Sequence, residues 1–412
     1  MTNRKLQYAP FLLLFSPLIF SFDGDRFRAW EVAAVGLAFL AFSYRWVGTW
    51  RLDPVLWAGG IFGLVVVLQQ PFVYHGSLAF GAKYAGIFML MFFPGVYVAS
   101  RRWSMVDFEA SWDRAILALT IIVVANYGLS LMLGVGQIYS TATSSRSFGF
   151  LGDSFTPVLN FLILYFCIQR RWAWALVVTA ALLITGGKAA IVMLLLGGAI
   201  YYGVFGSLKI RLLAIVAAGV AVVLFASPAL TFLRTDAVIY SWNTRLLSYR
   251  IGMRLFLDNP LTGVGINGSM KYLHVLGAAE ADARGVTKIF GVYQIHNSFV
   301  RTLAETGVAG FTAFCVFCVV IVGRALRMFW VAHAEAPSRA RALALASGVW
   351  VISFVTFYQS VGWFEQGHPQ LAWLLLISGA GLGAARTLAR RRGQLPLLRV
   401  SRVKALDFLR NG

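Results

Sequence analysis

The chain has 412 residues, 59% of them hydrophobic and 13% charged, with a formal net charge of +20 at pH 7. A soluble domain of this size cannot bury so much apolar surface, so lipid is the solvent for most of its length. The basic excess would suggest a nucleic-acid partner in a soluble protein. Here the basic residues stand at the ends of apolar runs, where headgroups and membrane topology account for them, and no nucleic-acid-binding motif occurs.

About twelve spans are expected, near 9–22, 30–47, 54–73, 78–100, 114–133, 155–169, 172–186, 188–206, 210–227, 299–323, 341–361 and 369–388. The first follows Arg4 and Lys5 as a signal peptide would. Ser21-Phe22-Asp23-Gly24 is a poor cleavage site, however, so the run reads as a retained helix. Thr185-Gly186-Gly187-Lys188 divides the apolar stretch Trp172–Phe205 into two spans. With the N-terminus in the cytoplasm, every cytoplasmic turn is basic. The residues are Arg45 and Arg51, Arg101 and Arg102, Arg170 and Arg171, Lys209 and Arg211, then Arg324, Arg327, Arg339 and Arg341, and a tail rich in arginine after Arg386.

The expected fold is therefore an all-α integral membrane protein. Residues 1–227 would form helices one to nine, 228–295 a long extracytoplasmic segment, 296–388 helices ten to twelve, and 389–412 a basic cytoplasmic tail. Cys315 and Cys318 form a C-x-x-C inside an apolar run with no second pair, which points to buried small residues rather than a metal or redox site.

Three segments of interest fall on the extracytoplasmic side: the loop 134–154, the Gly186-Gly187-Lys188 break and the stretch 228–295. Their basic residues run against the topological trend, and substrate binding is the leading explanation. The long stretch carries Arg234, Arg245, Arg250, Arg254, Lys271, Arg284 and Lys288. Asn243 or Thr244 is expected to cap a helix that starts near Arg245 and ends at Pro260. On it Arg245, Tyr249 and Phe256 share one face and Arg250 and Arg254 another, so one ligand cannot engage all three arginines. At a helix N-terminus, Arg245 would combine its guanidinium fork with free N–H groups, a setting for phosphate oxygens; snorkelling to headgroups is the alternative.

Gly263-Val264-Gly265 lacks the βαβ context of a dinucleotide site and reads as a tight turn back to the membrane. His296 stands before a helix that Asn297 or Ser298 could cap. Its imidazole can accept a hydroxyl proton, or it can be a satisfied interface histidine. Arg301 and Glu305, i,i+4 at lipid depth, are expected to pair with each other or with the site. Lys188 is either a snorkelling anchor or a phosphate contact that its flanking glycines permit. His75, His274, His333 and His368 are assigned no role.

Taken in order, the Arg245 segment, Asn259-Pro260-Leu261-Thr262-Gly263-Val264-Gly265, and His296-Asn297-Ser298 through Glu305-Thr306-Gly307 resemble the O-antigen ligase/polymerase superfamily. Arg146 in Ser145–Asp153 resembles that family's extracytoplasmic arginine segment. The resemblance implies a GT-C-type inverting glycosyltransferase that needs no metal or cofactor. It would take a glycan from undecaprenyl diphosphate at the periplasmic face of a bacterial inner membrane, with both termini cytoplasmic.

Carried over, Arg245 binds the donor diphosphate and His296 orients or deprotonates the acceptor hydroxyl. Lys188, Arg146, Arg250, Arg254, Asn297, Arg301 and Glu305 are the further candidate substrate contacts. Lys188 stands where the family often has an arginine, keeping the charge without the fork. The acceptor would be lipid A–core for a ligase, or a lipid-linked glycan for a polymerase; the single large segment after the ninth span favours the ligase. A transporter would instead show internal repeats and charges deep in several spans, and the chain shows no repeat.

Overall fold

The structure, a computed structural model, describes residues 53–73, 78–100, 103–133, 137–139, 145–147, 156–185, 188–214, 216, 219, 236–273, 295, 297–357 and 369–391. Helix α1 (Pro54–Gln69) begins where Asp53 Oδ1 accepts from the N–H groups of Val55 (2.9 Å) and Leu56 (3.4 Å), with Pro54 in the first turn. A 3₁₀ turn, Gln70–Phe72, ends it. The expected span 78–100 is two helices, α2 (Leu78–Leu90) and α3 (Phe92–Ser100), parted at Met91. Pro94 offers no N–H to the Leu90 carbonyl and its ring crowds that oxygen, so the helix breaks one turn earlier.

Helix α4 (Met105–Leu133) starts well before the expected span at 114. Ser104 Oγ accepts from the Asp107 N–H at 3.1 Å and donates to the Asp107 carboxylate at 2.7 Å, and this reciprocal cap carries the charged stretch before Arg114 into the helix. Two short antiparallel strands follow, β1 (Gln137–Tyr139) and β2 (Ser145–Ser147), with Ile138 opposite Arg146. Next come α5 (Thr156–Ile168), α6 (Trp172–Ile184) and α7 (Lys188–Phe205), which divide 172–205 as expected. Helix α8 (Asp236–Asp258) begins nine residues before Arg245, so Asn243 and Thr244 lie inside it and do not cap it. The chain continues with α9 (Ser298–His333), α10 (Arg339–Phe357) and α11 (Pro369–Arg391). Arg324 and Arg327, expected in a turn, sit within α9, which continues well past the expected end at 323.

Among the described residues five helices are long and apolar enough to cross a membrane: Pro54–Phe72, Met105–Leu133, Ser298–His333, Arg339–Thr356 and Gln370–Arg391; three more apolar helices there are shorter. The expected spans 9–22 and 30–47 and the tail beyond Arg391 lie outside the described residues, as does much of 210–227. The molecule is a helical membrane protein in which lipid-facing stripes are explicit. On α1, Trp57, Ile61, Leu64 and Leu68 recur at helical spacing and are all exposed, an apolar surface that water would not tolerate.

Helix α9 packs on α1, α8, α10 and α11; α11 packs on α3; and α10 also covers α5 and α7. Phe62, Phe88, Phe92, Phe314 and Phe317 interlock between α1, α2, α3 and α9, with ring centroids 5.1–6.2 Å apart. Helices α3 and α11 touch backbone to backbone: a Cβ on Gly95 would overlap the Leu375 carbonyl, and one on Gly379 would overlap Gly95. Helices α1 and α9 run antiparallel. Asp53 pairs with Arg324 at one end, and Gln69 meets Thr306 at the other. That second end carries the candidate site.

Candidate active site

Helix α9 is interrupted at Gly307, whose φ of 59° and ψ of −165° leave the helical region. Such a break frees backbone groups, and at lipid depth each must find another partner within the protein. The 260–265 turn supplies most of them. Val308 N–H donates to Pro260 O at 2.8 Å. Ala304 O accepts from Val264 N–H at 2.9 Å, and Glu305 O from Gly265 N–H at 2.9 Å. Thr306 O accepts from Gln69 Nε2 of α1 at 2.9 Å, and the same amide also reaches Leu261 O at 3.4 Å.

The approach needs two glycines. A Cβ on Gly307 would overlap the carbonyls of Pro260 and Leu261. One on Gly263 (φ 64°) would overlap the backbone of Glu305 and Thr306. The P-L-T-G-V-G turn and the E-T-G segment, well separated along the chain, are thus two halves of one lock.

A buried ion pair braces this lock from the side. Arg301 and Glu305 are each 4% exposed, with Arg301 Nε 3.0 Å from Glu305 Oε1. The carboxylate oxygen also accepts from Ser269 Oγ at 2.5 Å, and the other end of the guanidinium donates to Asn267 Oδ1 at 2.8 Å. Buried charges at this depth persist only when paired and hydrogen-bonded in this way. Tyr84 of α2 is buried within electrostatic range of both members. The pairing expected from i,i+4 spacing therefore forms, and it fastens the 267–269 stretch to α9.

Helix α8 lies against the start of α9, with Gly252 seated on Val300 and Ile295. Asn297 is the N-cap of α9: its Oδ1 accepts from the N–H groups of Phe299 (2.9 Å) and Val300 (3.1 Å). The Asn297 side chain also hydrogen-bonds the Tyr249 hydroxyl, and the Arg245 charge, one turn back on α8, acts on that phenol. Burial raises the Tyr249 pKa, and Arg245 and Asn297 partly offset the rise, so the group is a neutral hydroxyl near pH 7. Arg245 and Tyr249 are half-buried, whereas Arg250 and Arg254 are exposed on the other face, as the helical periodicity anticipates. Because α8 starts at Asp236, Arg245 has no helix N-terminus to help it, and any phosphate contact rests on its guanidinium alone.

His296 lies outside the described residues, between Ile295, which is buried, and Asn297. Lys188 is the first residue of α7 and Arg146 sits in β2; their side chains lie outside the described set. Among the described residues no group of three His, Cys, Asp or Glu could hold a metal ion. Residues to which sequence reading gave no role are Gln69, Tyr84, Tyr249, Asn267 and Ser269. The visible signals among them were a polar pair, Gln69-Gln70, closing an apolar span, and Tyr249 on the helix face of Arg245.

Residues 142–315 match the family described as O-antigen ligase. Over this stretch the chain is similar to that family. The stretch runs from just before β2 to the middle of α9 and contains Arg146, Lys188, Arg245, the 260–265 turn, His296 and the Arg301–Glu305 pair. Gln69 and Tyr84 come from helices ahead of it, so the candidate site is completed from outside the matched stretch. The match supports a glycosyltransferase of the ligase/polymerase type acting on lipid-linked glycans in a bilayer. No curated protein gives a significant match to the chain.

Proposed function

We propose that the protein is an inverting, metal-independent O-antigen ligase that moves a glycan from undecaprenyl diphosphate to lipid A–core at the periplasmic face of the inner membrane. The observation that supports this most is the lock between the 260–265 turn and the Gly307 break. It joins the helix bearing Arg245 to the helix that His296 precedes, within the stretch that matches that family. In this reading the chain crosses the membrane twelve times with both termini in the cytoplasm, and the locked end faces the periplasm.

The chemistry asks little of the protein beyond placement and charge. Arg245 binds the diphosphate, and Lys188 and Arg146 add positive charge as the anomeric C–O bond breaks and negative charge grows on the departing diphosphate. The acceptor hydroxyl oxygen attacks the anomeric carbon from the opposite side, which inverts the centre, and its proton passes to His296. Tyr249 and Asn297 hold the start of α9 against α8. Arg301 and Glu305 keep the turn docked.

Purified protein given an undecaprenyl-diphosphate-linked glycan, with EDTA present, tests this reading when two acceptors are offered separately. Product on rough lipopolysaccharide is the expected result. A ladder on a lipid-linked single repeat unit would make the protein a polymerase using the same donor chemistry. No product on either, from folded protein, would overturn the glycosyltransferase reading.

A further inference from the structure

The end of the α1/α9 pair opposite the lock holds a second concentration of charge. Sixteen residues separate Val308 from Arg324 on α9 and Asp53 from Gln69 on α1, about 24 Å at a rise of about 1.5 Å per residue. The two ends therefore stand close to one hydrocarbon thickness apart, a thickness of about 30 Å. At the far end Arg324 is buried on Asp53, whose Oδ1 also caps α1. Arg386 of α11 donates through Nη1 to the Ala99 carbonyl at the end of α3. Arg386 senses one carboxylate, Asp53, and three guanidinia, Arg324, Arg327 and Arg390.

Asp53 is thus already committed to a helix cap and to Arg324. Among the described residues that act on Arg386, and with Arg390 left aside, Arg324 and Arg327 join it as three guanidinia beside the one carboxylate of Asp53. Arg327 is exposed, and Arg386 is half-buried with part of its side chain at the surface. A topological signal requires positive residues on this side of the membrane, but it does not require residues of two helices to converge on one point against their mutual repulsion. An anion of phosphate type relieves that repulsion, and guanidinium forks suit its oxygens.

We propose that Arg327 and Arg386, backed by the Asp53–Arg324 pair, form a binding site for the phosphodiester headgroup of an anionic membrane lipid. The depth of the cluster selects the source: it lies where the headgroup layer meets the bundle, on the face opposite the candidate active site. Bound there, the lipid clasps α11 to α9 and α1, the helices that carry Gln69 and the Gly307 break. The site is independent of what the protein transfers.

The test is native mass spectrometry of the full-length protein in detergent, titrated with cardiolipin, phosphatidylglycerol or phosphatidylcholine. R327Q, R386Q and a control, R211Q, are compared with the wild type; Arg211 is an exposed arginine that donates to the carbonyls of Gly206 and Val204. The wild type is expected to retain both anionic lipids over phosphatidylcholine. R327Q and R386Q should each weaken that retention about fivefold, and R211Q should leave it unchanged. Arg327 is exposed, so R327Q keeps the test decisive if R386Q does not fold. Undiminished lipid retention by folded R327Q, an equal loss in R211Q, or equal retention of phosphatidylcholine would overturn the proposal. Full displacement of the lipid by inorganic phosphate would reassign the cluster to a free anion.

Discussion

At the residue scale the division of labour follows burial. Arg245 is half-buried and reaches the surface of α8, whereas Arg301 is sealed between Glu305 and Asn267. The two arginines should therefore fail in different ways. R245K keeps the charge and loses the fork, so transfer is expected to fall by about 10- to 100-fold with the melting temperature unchanged; wild-type turnover would make Arg245 a headgroup anchor. H296A should lower transfer by about 10²- to 10⁴-fold with insertion and melting intact, measured on the same two instruments. Near-normal transfer would remove His296 from the mechanism. R301A, by contrast, strands a buried carboxylate and should cost about 3–5 kcal/mol of stability. The double variant R301M/E305L removes both charges and is expected to yield more folded protein than R301A alone, read by size-exclusion profile and thermal melting.

At the scale of the element, the broken helix is what organises the site. A continuous α9 would satisfy its own backbone and offer nothing to the 260–265 turn. The break at Gly307 exposes carbonyls of Ala304, Glu305 and Thr306, which the turn and Gln69 then occupy. G307A forces a positive φ on alanine and drives a methyl into two carbonyls, a cost on the order of 3 kcal/mol. Its melting temperature should drop sharply and transfer should be lost with it. G198A is the control, since a Cβ at Gly198 on α7 meets nothing within 4 Å and should be neutral or mildly stabilising. If the two variants melt alike, the lock does not hold the fold together.

On the scale of the whole molecule, the two ends of the α1/α9 pair are built differently. One gathers a backbone lock and a compensated ion pair, with the arginines of α8 beside it; the other, among the described residues, gathers guanidinia around the carboxylate of Asp53. In the proposed orientation the positive-inside rule puts the arginine end in the cytoplasm and the lock at the periplasmic face. Cysteines introduced between residues 275 and 294 should react with a membrane-impermeant maleimide in intact spheroplasts, and one placed after Arg391 should react only after permeabilisation. The reverse pattern, or both on one side, would refute the twelve-span arrangement. The O-antigen ligase match covers 142–315, yet the surfaces on which that stretch depends, on α1, α2, α10 and α11, lie outside it.

Composition and order along the chain were enough to determine that this is a helical membrane protein, where several of its described apolar helices run to within about a turn, and which motifs occur together. Each of those is a local property: transfer to lipid depends on a window of neighbouring residues, and Arg301 and Glu305 meet because a helix places i and i+4 together. Even the break between α2 and α3 was available in Pro94. Tertiary structure alone decided that the Gly263 turn and the Gly307 break are one unit, that Gln69 completes it, and that Asp53 and Arg324 close the opposite end. It also extended α8 back to Asp236 and so removed the helix terminus expected beside Arg245. Those outcomes depend on which backbone groups are left unpaired once helices are packed in a medium without water, and no single segment carries that information.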